Sequence, residues 1–169
     1  MPSLVLGIDP GTAVTGYGVV SVDGRGQPTL IECGVIRTTP REPLHKRLVD
    51  IHEGIVELIQ RHKPTQVAVE SVFYARNVRT TIVLGHARGV ILLAAACAKI
   101  EISEFPPAEI KKAITGTGAA TKQQVQFMVT KLLRLKLAPQ PADAADGVAA
   151  ALCACMASQQ LRPLLTNSR

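Results

Sequence analysis

The chain has 169 residues, 47% of them hydrophobic, which suits one globular domain and excludes a disordered or low-complexity chain. Aromatic residues make up only 3%, with no Trp, so the core must be aliphatic, and aromatic cages or carbohydrate-stacking platforms are not expected. Nineteen Lys and Arg against thirteen Asp and Glu leave a net charge of +6, the balance of a protein that meets a polyanion.

In chain order the pattern begins with strands. Ser3 to Asp9 reads as a buried strand ending in a carboxylate, with no basic start of the kind a signal peptide needs. Gly16 to Asp23 and Thr29 to Thr38 read as two more strands, joined as a hairpin around Gly24-Arg25-Gly26. Leu44, Leu48, Ile51, Ile55, Leu58 and Ile59 recur at helical spacing, and His62-Lys63-Pro64 stops that helix. Thr65 to Glu70 is a short β-branched strand, again ending in a carboxylate, and Asn77 to Ala98 a long apolar helix. Its longest uncharged apolar run, Gly89 to Ala98, is about half the ~20 residues a membrane span needs, so no membrane segment is expected.

Glu101 to Phe105 is the fifth strand, and Pro106-Pro107 opens a short helix to Ile114. After a Gly-containing loop, Thr121-Lys122-Gln123-Gln124 fits a capping box that begins another helix, which Pro139 and Pro141 end. Asp143 to Gln160 is the last helix. The domain therefore spans residues 1–160, with 161–169 expected as a disordered tail. A meander followed by alternation predicts an α/β fold: a mixed sheet of about five strands with helices on both faces. The four Cys, at 33, 97, 153 and 155, form no C-x-x-C pair, which disfavours structural zinc and fits reduced thiols in a cytoplasm.

Two segments are basic without a single acid. Residues 71–100 hold Arg76, Arg79, Arg88 and Lys99, and residues 110–142 hold Lys111, Lys112, Lys122, Lys131, Arg134 and Lys136. They are either solvated helix faces or a nucleic-acid surface.

Four acids sit where chemistry would use them. Asp9 and Glu70 end strands, the place where sites gather in sheets with crossover helices, and Asp143 and Asp146 share one helix face three residues apart. Each has an ordinary alternative: a turn residue for Asp9, a solvated strand end for Glu70, an N-cap for Asp143, a dipole-favoured first-turn acid for Asp146. Together, without counter-charge, they would repel one another, and a pair of divalent cations resolves the conflict. Carboxylate ligands suit Mg²⁺ or Mn²⁺, and two such ions serve phosphodiester hydrolysis.

With those residues in place, the chain resembles the RuvC family of Holliday-junction resolvases, in the ribonuclease H-like superfamily. The resemblance is carried by Leu6-Gly7-Ile8-Asp9-Pro10-Gly11, Thr15-Gly16-Tyr17-Gly18, Gly34-Val35-Ile36-Arg37-Thr38, Glu70-Ser71-Val72-Phe73, Leu84-Gly85-His86-Ala87-Arg88-Gly89-Val90 and Ala142-Asp143-Ala144-Ala145-Asp146. It implies a Mg²⁺-dependent endonuclease, with two ions per active site and Mn²⁺ as a substitute. Such an enzyme nicks two strands of like polarity in a four-way junction, in recombination and repair. It places the catalytic and metal-binding tetrad on Asp9, Glu70, Asp143 and Asp146, a stacking aromatic on Phe73, and DNA contacts on Arg76, Lys111 and Lys122. It also implies the RuvA–RuvB branch-migration complex as partner. Two symmetric nicks require two sites, so a homodimer is expected, with Asn77–Ala98 in its interface unless that helix is buried in the monomer's own core. The alternatives are a related nuclease for another branched or RNA-containing substrate and a non-catalytic nucleic-acid-binding factor. Actin-like ATPases share the opening turn but need a second domain for which the chain has no room.

Overall fold

A computed structural model describes residues 3–71 and 77–165, the side chains of 159–165 aside. Its elements are β1 (Ser3–Asp9), β2 (Val14–Val22), β3 (Pro28–Arg37), α1 (Leu44–His62), β4 (Gln66–Glu70), α2 (Val78–Cys97), β5 (Glu101–Phe105), α3 (Pro107–Thr115), α4 (Lys122–Leu132) and α5 (Ala142–Leu165). The strands form one sheet in the order β3-β2-β1-β4-β5. β1, β2 and β3 pair antiparallel as the predicted meander, while β4 runs parallel to both β1 and β5.

The period of two along each strand divides the core into two layers. Leu6 and Ile8 of β1, with Val67 and Val69 of β4, pack under α1 and α2 beside Ile51, Ile55 and Ile91. Val5 and Ala68 face the other way, onto α3, α4 and α5. Asp9 and Glu70, each an even number of residues from Val5 and Ala68, therefore emerge on the α5 face. Mutating Ile8 or Ile55 to Ala would cost about 2–5 kcal/mol, since both are wholly buried.

α1 buries Ile51, Ile55, Leu58 and Ile59 along one stripe and ends at Lys63, whose left-handed backbone (φ 50) lets its N–H reach the Ile59 carbonyl. Its last turn is tied to β3. Glu32 accepts hydrogen bonds at 2.8 Å from Tyr17 and Arg61 through Oε1, and pairs with His62 at 2.8 Å through Oε2. These contacts hold the Glu32 carboxyl below its usual range against the opposing effect of burial.

α5 lies unusually close to the sheet. A Cβ on Gly16 of β2 would stand 1.8 Å from the Asp143 carbonyl oxygen, and one on Gly147 of α5 2.5 Å from the Tyr17 Cα. Glycine at both positions removes the atoms that would hold the helix off the strands, and this approach brings Asp143 and Asp146 down to Asp9.

Three expectations are corrected. α5 continues to Leu165 rather than ending at Gln160: Gln159–Arg162 are residues that favour helix, and Pro163 falls only in the last turn; residues 166–169 lie outside the described residues. α2 is long and apolar enough, by length and composition, to cross a membrane, since a lone Arg does not disqualify the whole helix as it interrupts an uncharged run. It instead docks Ala87, Ile91, Ala94 and Ala95 against α1 and the sheet, leaving Ile82 and Leu93 more than half exposed. One face of α2 is therefore buried in the monomer's own core and the other is left exposed. Asp143 is not an N-cap, because the helix already begins at Ala142.

Candidate active site

Crossover topology brings the acids together. β1 and β4 are parallel neighbours in register from Val5↔Gln66 to Ile8↔Val69, so the strand-end carboxylates of Asp9 and Glu70 emerge side by side. α5 starts above the same end of the sheet, and one oxygen from each of Asp9, Asp143 and Asp146 lies within 4.8 Å of the others. Glu70 joins the group by a hydrogen bond with Asp9. Asp9, Glu70 and Asp146 line a cavity of ≈ 240 Å³ with Lys111 and Lys122, walled by Pro107, Ile110, Val125 and Ala149.

The electrostatics are those of a carboxylate cluster short of positive charge. Burial, then the charges of Glu70 and Asp146, push Asp9 up to about 8. Burial also raises Glu70, while its hydrogen bond with Asp9 pulls the other way. Lys122 Nζ approaches Asp146 Oδ2 at 3.1 Å, and that bond raises the lysine further. Lys122 is placed by the predicted capping box, in which Gln124 N–H donates to Thr121 Oγ1 at 3.2 Å and Thr121 N–H to Gln124 Oε1 at 2.8 Å.

The turn after Asp9 is pinned by groups that the spacing of acids and bases did not reveal. Thr15 Oγ1 donates to the Gly11 carbonyl at 2.7 Å, and Thr38 Oγ1 to the Thr12 carbonyl at 2.5 Å. Arg47 Nε in turn donates to Thr38 Oγ1 at 3.0 Å. Gly16 and Gly147 were also missed as determinants of the site. Their signal was a glycine in mid-strand and another in mid-helix, each costly without a packing reason.

Of the eight site residues read from the sequence, the structure brings Asp9, Glu70, Asp143, Asp146, Lys111 and Lys122 to one end of the sheet. Phe73 and Arg76 lie outside the described residues. All four cysteines are free, and Cys153 and Cys155 are buried, with thiols pushed up to about 12 by burial.

A mixed five-stranded sheet with helices on both faces and carboxylates at the ends of adjoining strands is the architecture of the ribonuclease H-like nucleases. Comparison with known proteins narrows the class. The model of the family described as crossover junction endodeoxyribonuclease RuvC matches residues 5–154. The crossover junction endodeoxyribonuclease RuvC of Desulforamulus reducens is 47% identical over 151 residues, covering 89% of this chain and 91% of that protein. Among solved structures, Thermus thermophilus RuvC superposes with a TM-score of 0.86 at 37% identity, covering 93% of this chain and 96% of that one. The same Thermus protein in complex with a Holliday junction substrate superposes with a TM-score of 0.84 at 34% identity, with the same coverage of each chain. The chain belongs to the RuvC family of crossover junction endodeoxyribonucleases.

Proposed function

We propose that this chain resolves four-way DNA junctions by hydrolysing phosphodiesters in two strands of like polarity, in recombination and repair. The observation that carries the reading is the convergence of three carboxylates and two lysines at one cavity, with Asp143 beside Asp9 and Asp146, in a chain of this family. We propose Asp9, Glu70, Asp143 and Asp146 as ligands of two divalent cations, Mg²⁺ or, as a substitute, Mn²⁺. The residues fit: the donors are carboxylate oxygens alone, the preference of hard cations, and burial with the neighbouring acids raises Asp9, as expected of a cluster short of positive charge. Bound there, the cations supply Lewis-acid stabilisation of the charge that builds on the phosphoryl oxygens.

The chain's own residues do the rest. Lys111 and Lys122 seat the phosphates beside the scissile bond, and Ile110, Val125 and Ala149 form the apolar wall of the cavity. Thr15 and Thr38 fix the turn that aims Asp9. Phe73 is assigned to stacking on an unpaired base, worth about 1–3 kcal/mol, and Arg76 to a phosphate. Two nicks need two sites, and a homodimer supplies them. Its interface is assigned to the outer face of α2, where Leu48, Ile82, Gly85, Gly89, Val90 and Leu93 line an apolar groove of ≈ 450 Å³. Resemblance to the family supports our assignment of a cytoplasmic location and of a RuvA–RuvB branch-migration complex as partner.

Asp146→Asn tests the site. It keeps size and removes charge, so cleavage with Mg²⁺ should fall at least ~10²-fold while metal-free junction affinity holds or rises. Near-normal nicking would remove Asp146 from the site.

A further inference from the structure

We propose that Arg37 and Arg41 form a phosphate-binding rim for the backbone of a duplex DNA arm, across the acids from Lys111 and Lys122. The proposal rests on the nuclease reading and deepens it by giving the substrate a second track. Its starting point is the stretch Gly34-Val35-Ile36-Arg37-Thr38, to which the site described above assigns only Thr38.

Register fixes where Arg37 stands. Asp9 pairs with Gly16, Gly16 with Val35, and Val14 with Arg37. Side chains directly opposite in antiparallel strands share a face. Gly16 faces the Asp143 carbonyl of α5, so Val35 and Arg37, an even number of residues along, lie on that same face as the acids. Two strand spacings sideways and two residues onward put the Arg37 Cα about 12 Å from that of Asp9. At one charge per ~3.4 Å of axis on each strand, that offset spans about three to four phosphates.

The segment is held in place and its charges are sorted. Thr38 is buried, its N–H donating to the Ala13 carbonyl and its hydroxyl to that of Thr12, so β3 ends against the turn that follows Asp9. Arg47 is engaged with Thr38, and Lys46 with Glu42 at 3.4 Å. Arg37 and Arg41 are both exposed and have no partner among the described residues. One unpaired guanidinium at Arg37, on the face of the sheet that carries the acids, and a second at Arg41 four residues on, in the exposed turn before α1, match a polyphosphate backbone, which guanidinium recognises by paired hydrogen bonds.

The test is fluorescence anisotropy of a labelled four-way junction without divalent metal, across a salt titration. Arg37→Gln with Arg41→Gln should make the slope of log affinity against log salt shallower by about two per bound protomer, and weaken binding at low salt at least ~10-fold. Lys46→Gln, which removes an exposed but paired cation of the same segment, should keep the wild-type slope. Should the double variant melt early, Arg41→Gln alone should still lower the slope by about one. A double variant with wild-type slope and affinity overturns the rim and leaves the nuclease reading intact, and the arginines would then serve a protein partner. Equal losses in Lys46→Gln would reduce the rim to general surface charge and overturn it too. A wild-type chain without affinity for junctions would overturn the nuclease reading, and this proposal with it.

Discussion

Lys122 Nζ stands 3.1 Å from Asp146 Oδ2, an exposed ammonium laid against a largely buried carboxylate of the acidic cluster. The lysine occupies the first position of α4, where the helix dipole disfavours a cation, so its place is explained by the acids it faces. In the absence of divalent ions it supplies part of the positive charge that the cluster lacks. A divalent cation held by Asp146 would compete with this contact, and Lys122 would then be free to meet a phosphate.

Lys122→Met should therefore raise the affinity of the protein for Mn²⁺, read by paramagnetic resonance without DNA, while lowering junction affinity. The expected gain is a few-fold, up to about fivefold, because exposed ion pairs are worth about 1 kcal/mol or less. Lys111→Met, which removes a charge from the same cavity with no bonded acid among the described residues, should give the smaller gain. Unchanged Mn²⁺ binding in Lys122→Met would show that the contact does not compete with metal.

Asp9 gives the metal-free protein an unusual dependence on pH. Its carboxyl moves from 3.8 in the unfolded chain to about 8 in the fold. Between those values the folded protein keeps a proton that the unfolded chain has released, so stability falls as pH rises. The contribution is fully present below about pH 4 and is lost through pH 8, and Glu70, also raised, acts in the same sense. Thermal melts in chelator should show a falling melting temperature over this range. The fall should be flattened in Asp9→Asn, which should melt above wild type at pH 8 while cutting no junction. Mg²⁺ should stabilise wild type more at pH 8 than at pH 5, since protons compete for its ligands. Wild-type melts that are level from pH 4 to 8 would contradict the reading of a charge-starved cluster.

Gly16→Ala places a methyl group against the Asp143 backbone, with no flexible side chain to yield. It should destabilise the fold by about 1–3 kcal/mol or more and shift α5 away from β2. Cleavage should fall further than stability, because two of the four acids ride on that helix. A variant that melts early yet cuts normally once folded would show that the site tolerates the shift.

Gly85 and Gly89 present the reverse case. A Cβ at either meets nothing within 4 Å, so Ala at both should strengthen α2 by about 0.5–1 kcal/mol each in the monomer. If this face is the dimer interface, the same methyl groups should weaken self-association, seen by light scattering at micromolar protein. Stronger helix with unchanged dimerisation would move the interface elsewhere.

Much of this was legible in the chain. Strand ends at Asp9 and Glu70, the capping box at Thr121 and the stripe from Leu44 to Ile59 follow local rules, and the structure repeats them within two residues. What the sequence did not disclose is distance. The Gly16–Asp143 and Gly147–Tyr17 approaches join segments more than 120 residues apart, and glycine announces a close neighbour without naming it. The ring of hydrogen bonds through Thr15, Thr38 and Arg47 was hidden because hydroxyls bonding to backbone carbonyls leave no periodic trace. Arg37 and Arg41 stand apart from the two acid-free basic segments, and Glu42 directly follows them in sequence, whereas in the fold Glu42 is taken up by Lys46.

The most direct test of the account is cleavage, with Mg²⁺, of a four-way junction, its component linear duplex and an RNA–DNA hybrid in parallel, each with strand-specific label. The account predicts paired nicks in two strands of like polarity in the junction, little or no cutting of the duplex or hybrid, and loss of all nicking in Asp9→Asn. Efficient cutting of the hybrid with an intact junction, or junction cleavage that persists in Asp9→Asn, would contradict it.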